Sequence, residues 1–341
     1  MFCLLLTLCG CANPVYYIQA AKGQIEILHK RRAIEEILTD PTTPAEMKSK
    51  LALVMRLREF ASQELLLPDN RSYRSYADLQ RPFAVWNVFA APELSLEPKK
   101  WCFIVTGCVP YRGYFARAGA DQFAAALKQQ AYDVYVGGVP AYSTLGWFDD
   151  PLLNTFIQRS EAEIAGLLFH ELAHQKIYVS GATAFNESFA TAVELEGVKR
   201  WFEHSGSSQQ AQAYRQKLQR RDAFVQLVVK HRSRLKEIYT SSLSDADKRA
   251  AKARTFADLR ADYATLKQSW DGDTAFDGWF KQDLNNAHLA AVGLYTRYVE
   301  AFQTLLAQQG GDLGAFYREV QGIKQLPSSE RAAVLKRWRQ D

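Results

Sequence analysis

Apolar residues recur along this chain at two different spacings, and the change between them marks out its elements. Over 15–39 ("VYYIQAAKGQIEILHKRRAIEEILT") and 44–66 they return every three or four positions, which predicts two helices with one buried face each. "DPTTP" divides the two, because proline and the residue before it leave the helical region. From about 82 to 139 the pattern changes. "PFAVWNVFA", "WCFIVTG" and "YDVYVGG" are β-branched and aromatic runs bounded by Pro and Gly, and they predict strands. "ADQFAAALKQQ" between the last two has a helical period, so a small sheet with a crossover helix is expected. A Gly- and Pro-rich connection, "GGVPAYSTLGWFDDPLLNTF", follows. Ser160 and Glu163 then form an S-x-x-E capping box that opens a helix to about Tyr178. "SGATAF" reads as a turn, a second helix runs from about Glu187 to His204, and everything beyond 207 is helical in period. With no internal repeat and no low-complexity linker, one α+β domain over 11–341 is expected. It is mostly helical, with a sheet and a helix pair at 82–204 and a helical part over 207–341.

Composition narrows the class. The 341 residues are 48% hydrophobic and 23% charged, as in globular proteins, and the net charge of +5 is spread among interspersed residues of both signs. A nucleic-acid partner is therefore not expected. The first residues differ in kind. "MFCLLLTLCGCANPV" is a short apolar run ending in small residues, the form of a cleaved export signal over 1–10. Leu8, Cys9, Gly10 and Cys11 resemble a bacterial lipobox, in which the cysteine is lipidated and becomes the new N-terminus, although no Lys or Arg precedes the run. Ala12 is not the aspartate associated with inner-membrane retention, so a periplasm-facing position on the outer membrane is preferred. No later stretch reaches the roughly 18 apolar residues of a spanning helix. Of the remaining cysteines, Cys102 and Cys108 lie close enough to oxidise outside the cytoplasm.

The candidate chemistry sits in "LLFHELAHQKIYVSGATAFNESFATAVELEG". Residues four apart on a helix share a face with roughly 6 Å of rise between them, so His170 and His174 can bind one metal ion together. Zinc suits them, since it accepts imidazoles and a carboxylate and keeps a fourth position for water. Glu171, beside the first histidine, can take that water's proton and pass it to a leaving amine. An H-E-x-x-H arises by chance in roughly one such chain in two hundred. "IAGLLF" also places this one on a buried helix, where unpartnered polar groups are costly. Glu187 and Glu194, one heptad apart, are both candidates for the third ligand.

The stretch resembles the gluzincin metallopeptidases, in which H-E-x-x-H is followed by a helix bearing N-E, and "NESFATAVE" is similar to the corresponding segment of zinc aminopeptidases. On that resemblance Glu187 is the ligand, while Asn186 and Glu194 stand behind the ligands and orient them. The interval of thirteen residues between His174 and Glu187 is shorter than in thermolysin or the large aminopeptidases, whose interval would select Glu194, so a tight turn at Ser180–Gly181 is required. The chain is similar nearly throughout, from the lipobox through "LPDNRSYRSYADL", "YRGYF" and "FHELAHQ" to "NNAHLAAVGLY", to a bacterial predicted-aminopeptidase lipoprotein family. The resemblance implies one Zn2+ per chain, peptide substrates, a zincin-type helix pair and a lipid anchor. No Gly-x-Met-x-Asn segment for gripping a free amine occurs, which keeps an endopeptidase and a non-catalytic envelope-binding protein open as alternatives.

Other residues have weaker claims. "VGGVPAYSTLGWF" can supply an edge strand or pocket wall beside the metal helix. Tyr142, Tyr178, Tyr295 and His288 are candidates for substrate contact or oxyanion support, and spacing singles out none. Asp149 and Asp150 read as a helix-start turn, and His29, His204 and His231 as solvated side chains.

Overall fold

The computed structural model describes residues 14–103, 106–141, 143–296 and 298–338. The expected signal segment, Cys11 and Tyr142 lie outside the described residues, as does the side chain of Tyr295. The chain opens with α1 (Pro14–Lys30), β1 (Arg31–Ala33), α2 (Ile34–Thr39), α3 (Ala45–Gln63) and β2 (Ser75–Ala77). The helix predicted over 15–39 is thus broken. Arg31, Arg32 and Ala33 pair antiparallel with Ala77, Tyr76 and Ser75, and this ladder to a distant segment overrides the local helical period.

Next come β3 (Val85–Pro92), β4 (Trp101–Phe103), β5 (Gly107–Val109), β6 (Arg112–Tyr114), α4 (Arg117–Gln129) and β7 (Tyr132–Val139). The sheet order is β6-β3-β7, with β3 antiparallel to both neighbours and α4 crossing between β6 and β7. Ala120, Ala124 and Leu127 of α4 pack on Trp86, Val88, Ala90 and Val134 of the sheet. The segment "WCFIVTG" was expected in this sheet and is elsewhere. It turns back at Gly107, whose φ of +71 suits glycine, and pairs with 107–109 as a separate hairpin closed by a Cys102–Cys108 disulfide.

β8 (Leu152–Leu153) pairs parallel with β2, and α5 (Asn154–Ile157), α6 (Glu161–Lys176) and α7 (Thr183–Ser205) follow. α7 begins four residues before the predicted start, since the turn is already complete at Ala182. The rest is α8 (Ser208–Thr240), α9 (Asp245–Gln268), α10 (Asp277–Phe280), α11 (Asn286–Thr296), α12 (Val299–Gln308), α13 (Leu313–Gln325) and α14 (Ser328–Arg337). The architecture is α+β, mostly helical with small sheets, and among the described residues no helix is long and apolar enough to cross a membrane. The main core joins α3, α6, α7, α12 and α13. Fully buried Phe169, Phe189 and Phe302 each contribute about 1.5–3 kcal/mol there. A second core of Phe224, Val228, Phe256 and Leu259 joins α8 to α9. His231 belongs to that interface. It is buried rather than solvated, with Nε2 2.9 Å from Asp262 Oδ2.

The disulfide hairpin braces the turn between α6 and α7. Gly181 N donates to Thr106 O (3.0 Å), and a Cβ on Gly107 would fall 2.6 Å from Ser180 Oγ and 2.7 Å from Gly181 N. Gly107→Ala therefore meets both a positive φ and backbone atoms that cannot yield. We expect it to lower unfolding free energy by about 1–3 kcal/mol in denaturant titration, whereas Gly322→Ala, inside helix α13 where the added methyl meets nothing, should raise it by about 0.4–1 kcal/mol.

Candidate metal centre

Helix α6 starts on the predicted capping box, with Ser160 and Glu163 bonded reciprocally. Ile164, Leu168 and Leu172, at four-residue intervals, are fully buried and fix the helix against the core. His170, Glu171 and His174 fall on the side that lines a cavity of about 880 Å3. Two glycines let α7 come close to this helix. A Cβ on Gly166 would lie 3.3 Å from the Glu194 side chain, and one on Gly197 would lie 2.6 Å from the Phe169 ring.

The connection Ile177–Ala182 reverses the chain. Asn186 closes it with both ends of its amide: Oδ1 accepts from Val179 N and Nδ2 donates to Val179 O, each at 2.8 Å. That amide faces the turn. The next residue, Glu187, lands between the histidines, its Oε2 3.4 Å from His170 Nε2 and 3.8 Å from His174 Nε2. These three ligand atoms all lie within 4.8 Å of one another. Tetrahedral coordination at about 2.0–2.1 Å would separate ligand atoms by roughly 3.3 Å, so this set can hold a metal ion with small side-chain adjustments. Glu194, two turns further along α7, approaches from behind, and His170 Nδ1 donates to its Oε2 at 3.1 Å. The question the sequence left open, Glu187 or Glu194 between the imidazoles, has a geometric answer. Glu187 faces both Nε2 atoms, and Glu194 orients one ring.

The charges here favour a cation. Burial opposes a proton on His170, but its bonds to Glu187 and Glu194 outweigh burial and raise its pKa to about 10. Burial would likewise raise Glu187, yet the charge on His174 and the bonds from both imidazoles hold it well below the usual carboxylate range. Glu194 is lowered too, burial being outweighed by the bond and charge of His170 and by Arg221, whose Nη1 lies 3.7 Å away. Glu171 goes the other way. Burial lifts its carboxyl above the ordinary value, His170 and His174 pull it down in part, and Glu187 and Glu194 add to the rise. His174 Nδ1 is buried without a hydrogen-bond partner among the described residues, so the outer carboxylate serves His170 alone.

Structure also identifies residues that sequence reasoning passed over. Tyr111, after β5, lines the cavity. Burial, then Glu187, Tyr178 and Glu171, push its phenol pKa up. Its only sequence trace was the "YRGYF" segment, which carries no spacing signal. Gln24 of α1 lines the same cavity, and neither end of its buried amide has a partner among the described residues. Arg58 of α3 is fully buried and donates to Ser72 O, Pro68 O and Asn70 O, folding a loop whose Asn70 donates to Gln175 Oε1 on α6 (2.7 Å). Of the earlier candidates, Tyr178 lines the cavity edge-on to the His174 ring at 6.3 Å. His288 is buried against Tyr135, bonded to Asn285, and does not line this cavity. Tyr295 lies in α11, with its side chain outside the described residues.

Asp150 is 1% exposed and shapes the loop that walls the cavity, accepting from Thr144 N and Thr144 Oγ1, each at 2.8 Å. Burial raises its pKa from 3.8 to about 6 despite those bonds. The folded protein therefore holds this proton more tightly than the unfolded chain. The resulting stabilisation is complete at low pH and fades as pH rises from about 4 through 6, by on the order of 2–3 kcal/mol. Asp150→Asn should remove that decline from a pH series of unfolding free energies; an identical slope in both chains would contradict the assignment.

Comparison with known proteins adds one finding to this geometry. No curated protein and no solved structure matches the chain. Residues 15–335 match the family described as "Putative aminopeptidase", which spans every residue of the centre just described, and the chain belongs to that family.

Proposed function

We propose that this protein is a zinc-dependent peptidase of the gluzincin type, an aminopeptidase held by a lipidated Cys11 at the periplasmic face of the bacterial envelope. The observation that carries the catalytic reading is Glu187 at 3.4 and 3.8 Å from the two imidazoles, with Glu171 next to His170 on the same helix. Three donors, two nitrogens and a carboxylate, are the usual complement of a catalytic rather than a structural zinc site. Family membership supports peptide hydrolysis.

The chain's residues have separable tasks. His170, His174 and Glu187 would hold the ion, and Glu194 fixes the His170 ring. When bound, the ion supplies Lewis-acid activation of water and of the scissile carbonyl. Glu171 accepts the proton of the attacking water and delivers it to the amine nitrogen as the C–N bond breaks, so the carboxylate is regenerated each cycle. Tyr111 and Tyr178 stay protonated, because burial and the nearby Glu187 both disfavour phenolate, and they can donate to the oxygen that gains charge. Gly138 and Val139 of β7, an edge strand, line the cavity where an extended peptide backbone can lie alongside.

One observation favours an endopeptidase as a second reading. Apart from Glu171, Glu187 and Glu194, Glu163 is the only acidic side chain among the described lining residues, and it is bonded to Lys217 at 2.7 Å. No uncommitted carboxylate there awaits a substrate's free amine. Peptides supplied free and N-acetylated separate the readings: an aminopeptidase leaves the blocked peptide intact, and an endopeptidase cleaves both. On either reading, Glu171→Gln should lower kcat by about 100- to 10,000-fold with metal content unchanged. Turnover by Glu171→Gln at the wild-type rate would remove the proposed base.

A further inference from the structure

Helix α1 has two dissimilar faces. Tyr16, Tyr17, Ala20 and Gln24 line the cavity, while Gly23 and Ile27 are buried. Gly23 is pressed against Phe115, where a Cβ would fall 2.0 Å from the ring. On the other side Val15, Ile18, Ala21, Lys22, Ile25 and His29 are all exposed. Val15, Ile18 and Ile25 are 69%, 66% and 54% accessible, and their spacing puts them on one stripe. That stripe carries no acidic residue: Glu26 is turned to Lys30 and Arg81.

Basic residues follow at once. Lys30, Arg31 and Arg32 are exposed. Lys30 and Arg32 already pair with Glu26 and Asp40, which leaves Lys22 and Arg31 as the charges most available to a partner. Arg31, the first residue of β1 directly after α1, donates from Nη1 to Asp149 O in the loop where Trp147 and Phe148 are 72% and 48% accessible. Among the described residues, three of the eight most exposed large hydrophobics lie on α1 and two more on the loop that Arg31 holds, where Trp147 and Phe148 also line the cavity. The residues directly before the helix, "MFCLLLTLCGCAN", are mostly apolar.

We propose that the outward face of α1 lies on an anionic phospholipid surface, with Ile18 and Ile25 in the boundary between headgroups and acyl chains and Lys22 and Arg31 against the phosphates. An apolar stripe with basic flanks is what binds at that depth, and anionic headgroups complement the charge. A second copy of the chain fits less well. A two-fold pairing of this stripe brings Lys22 towards its own equivalent, and one short helix face supplies far less than the roughly 800 Å2 per partner of a stable dimer. The helix that touches lipid is also a wall of the cavity, so docking holds that cavity at the membrane surface. This inference goes beyond the peptidase reading and stands without it.

The test uses the full chain with Cys11→Ser, which removes the lipidation site, with and without Ile18→Ser/Ile25→Ser. Flotation with vesicles of phosphatidylglycerol and phosphatidylethanolamine should show the double variant partitioning about tenfold less, with unchanged melting temperature. Lys22→Glu should weaken binding to these vesicles and leave the weaker binding to phosphatidylcholine unaltered. Equal flotation with and without the isoleucines would overturn the proposal. So would a dimer in sedimentation that the double variant dissociates while vesicles are ignored.

Discussion

The site depends on how closely two helices can cross. His170 and His174 share a face of α6 whatever the rest of the chain does, but a carboxylate reaches them only if α7 returns tightly over that face. Gly166 and Gly197 leave no side chain in the crossing, and the Glu194 chain and the Phe169 ring occupy the space. The reversal at Ile177–Ala182 is held from within by Asn186 and from outside by the disulfide hairpin through Thr106 and Gly107. With the crossing fixed, the seven-residue interval from Glu187 to Glu194 sets both carboxylates on one side of α7. One meets the ligand nitrogens and the other the far nitrogen of His170.

Such a cluster is unfavourable unless it is neutralised. Glu171, Glu187 and Glu194 together take negative charge out of water, and Arg221 compensates only at a distance. His170 responds by holding its proton more tightly, as its raised pKa records. The same electrostatics that draw a proton there favour a divalent ion on Nε2. They also separate Glu171 from the other two carboxylates: it bonds to neither imidazole, and it alone is raised.

The parts of this arrangement that are local could be read from the sequence. The capping box at Ser160 and Glu163, the period of "IAGLLFHELAH" and the four-residue histidine spacing depend only on helix geometry, and each is found in place. Which carboxylate faces the imidazoles was harder to read, because two carboxylates a heptad apart are equivalent until the path of the turn is known. Long-range pairing was not legible at all. Arg31–Ala33 sits in a helical period yet forms a ladder with 75–77, and "WCFIVTG" has strand composition yet folds on itself instead of joining β3. Tyr111, Gln24 and Arg58 lie far from the motif in sequence, and only the tertiary fold places them beside the site or its supports. His231 looked solvated amid charges because its neighbour across the interface, Asp262, is 31 residues away.

The most direct test of the account is the zinc affinity of the full chain when each α7 carboxylate is neutralised in turn. The wild type should bind one zinc per chain, Glu187→Gln should lose that stoichiometric binding, and Glu194→Gln should keep it with about 10- to 100-fold weaker affinity. Wild-type zinc affinity in Glu187→Gln, or loss of the metal in Glu194→Gln alone, would contradict the geometry on which the function is built.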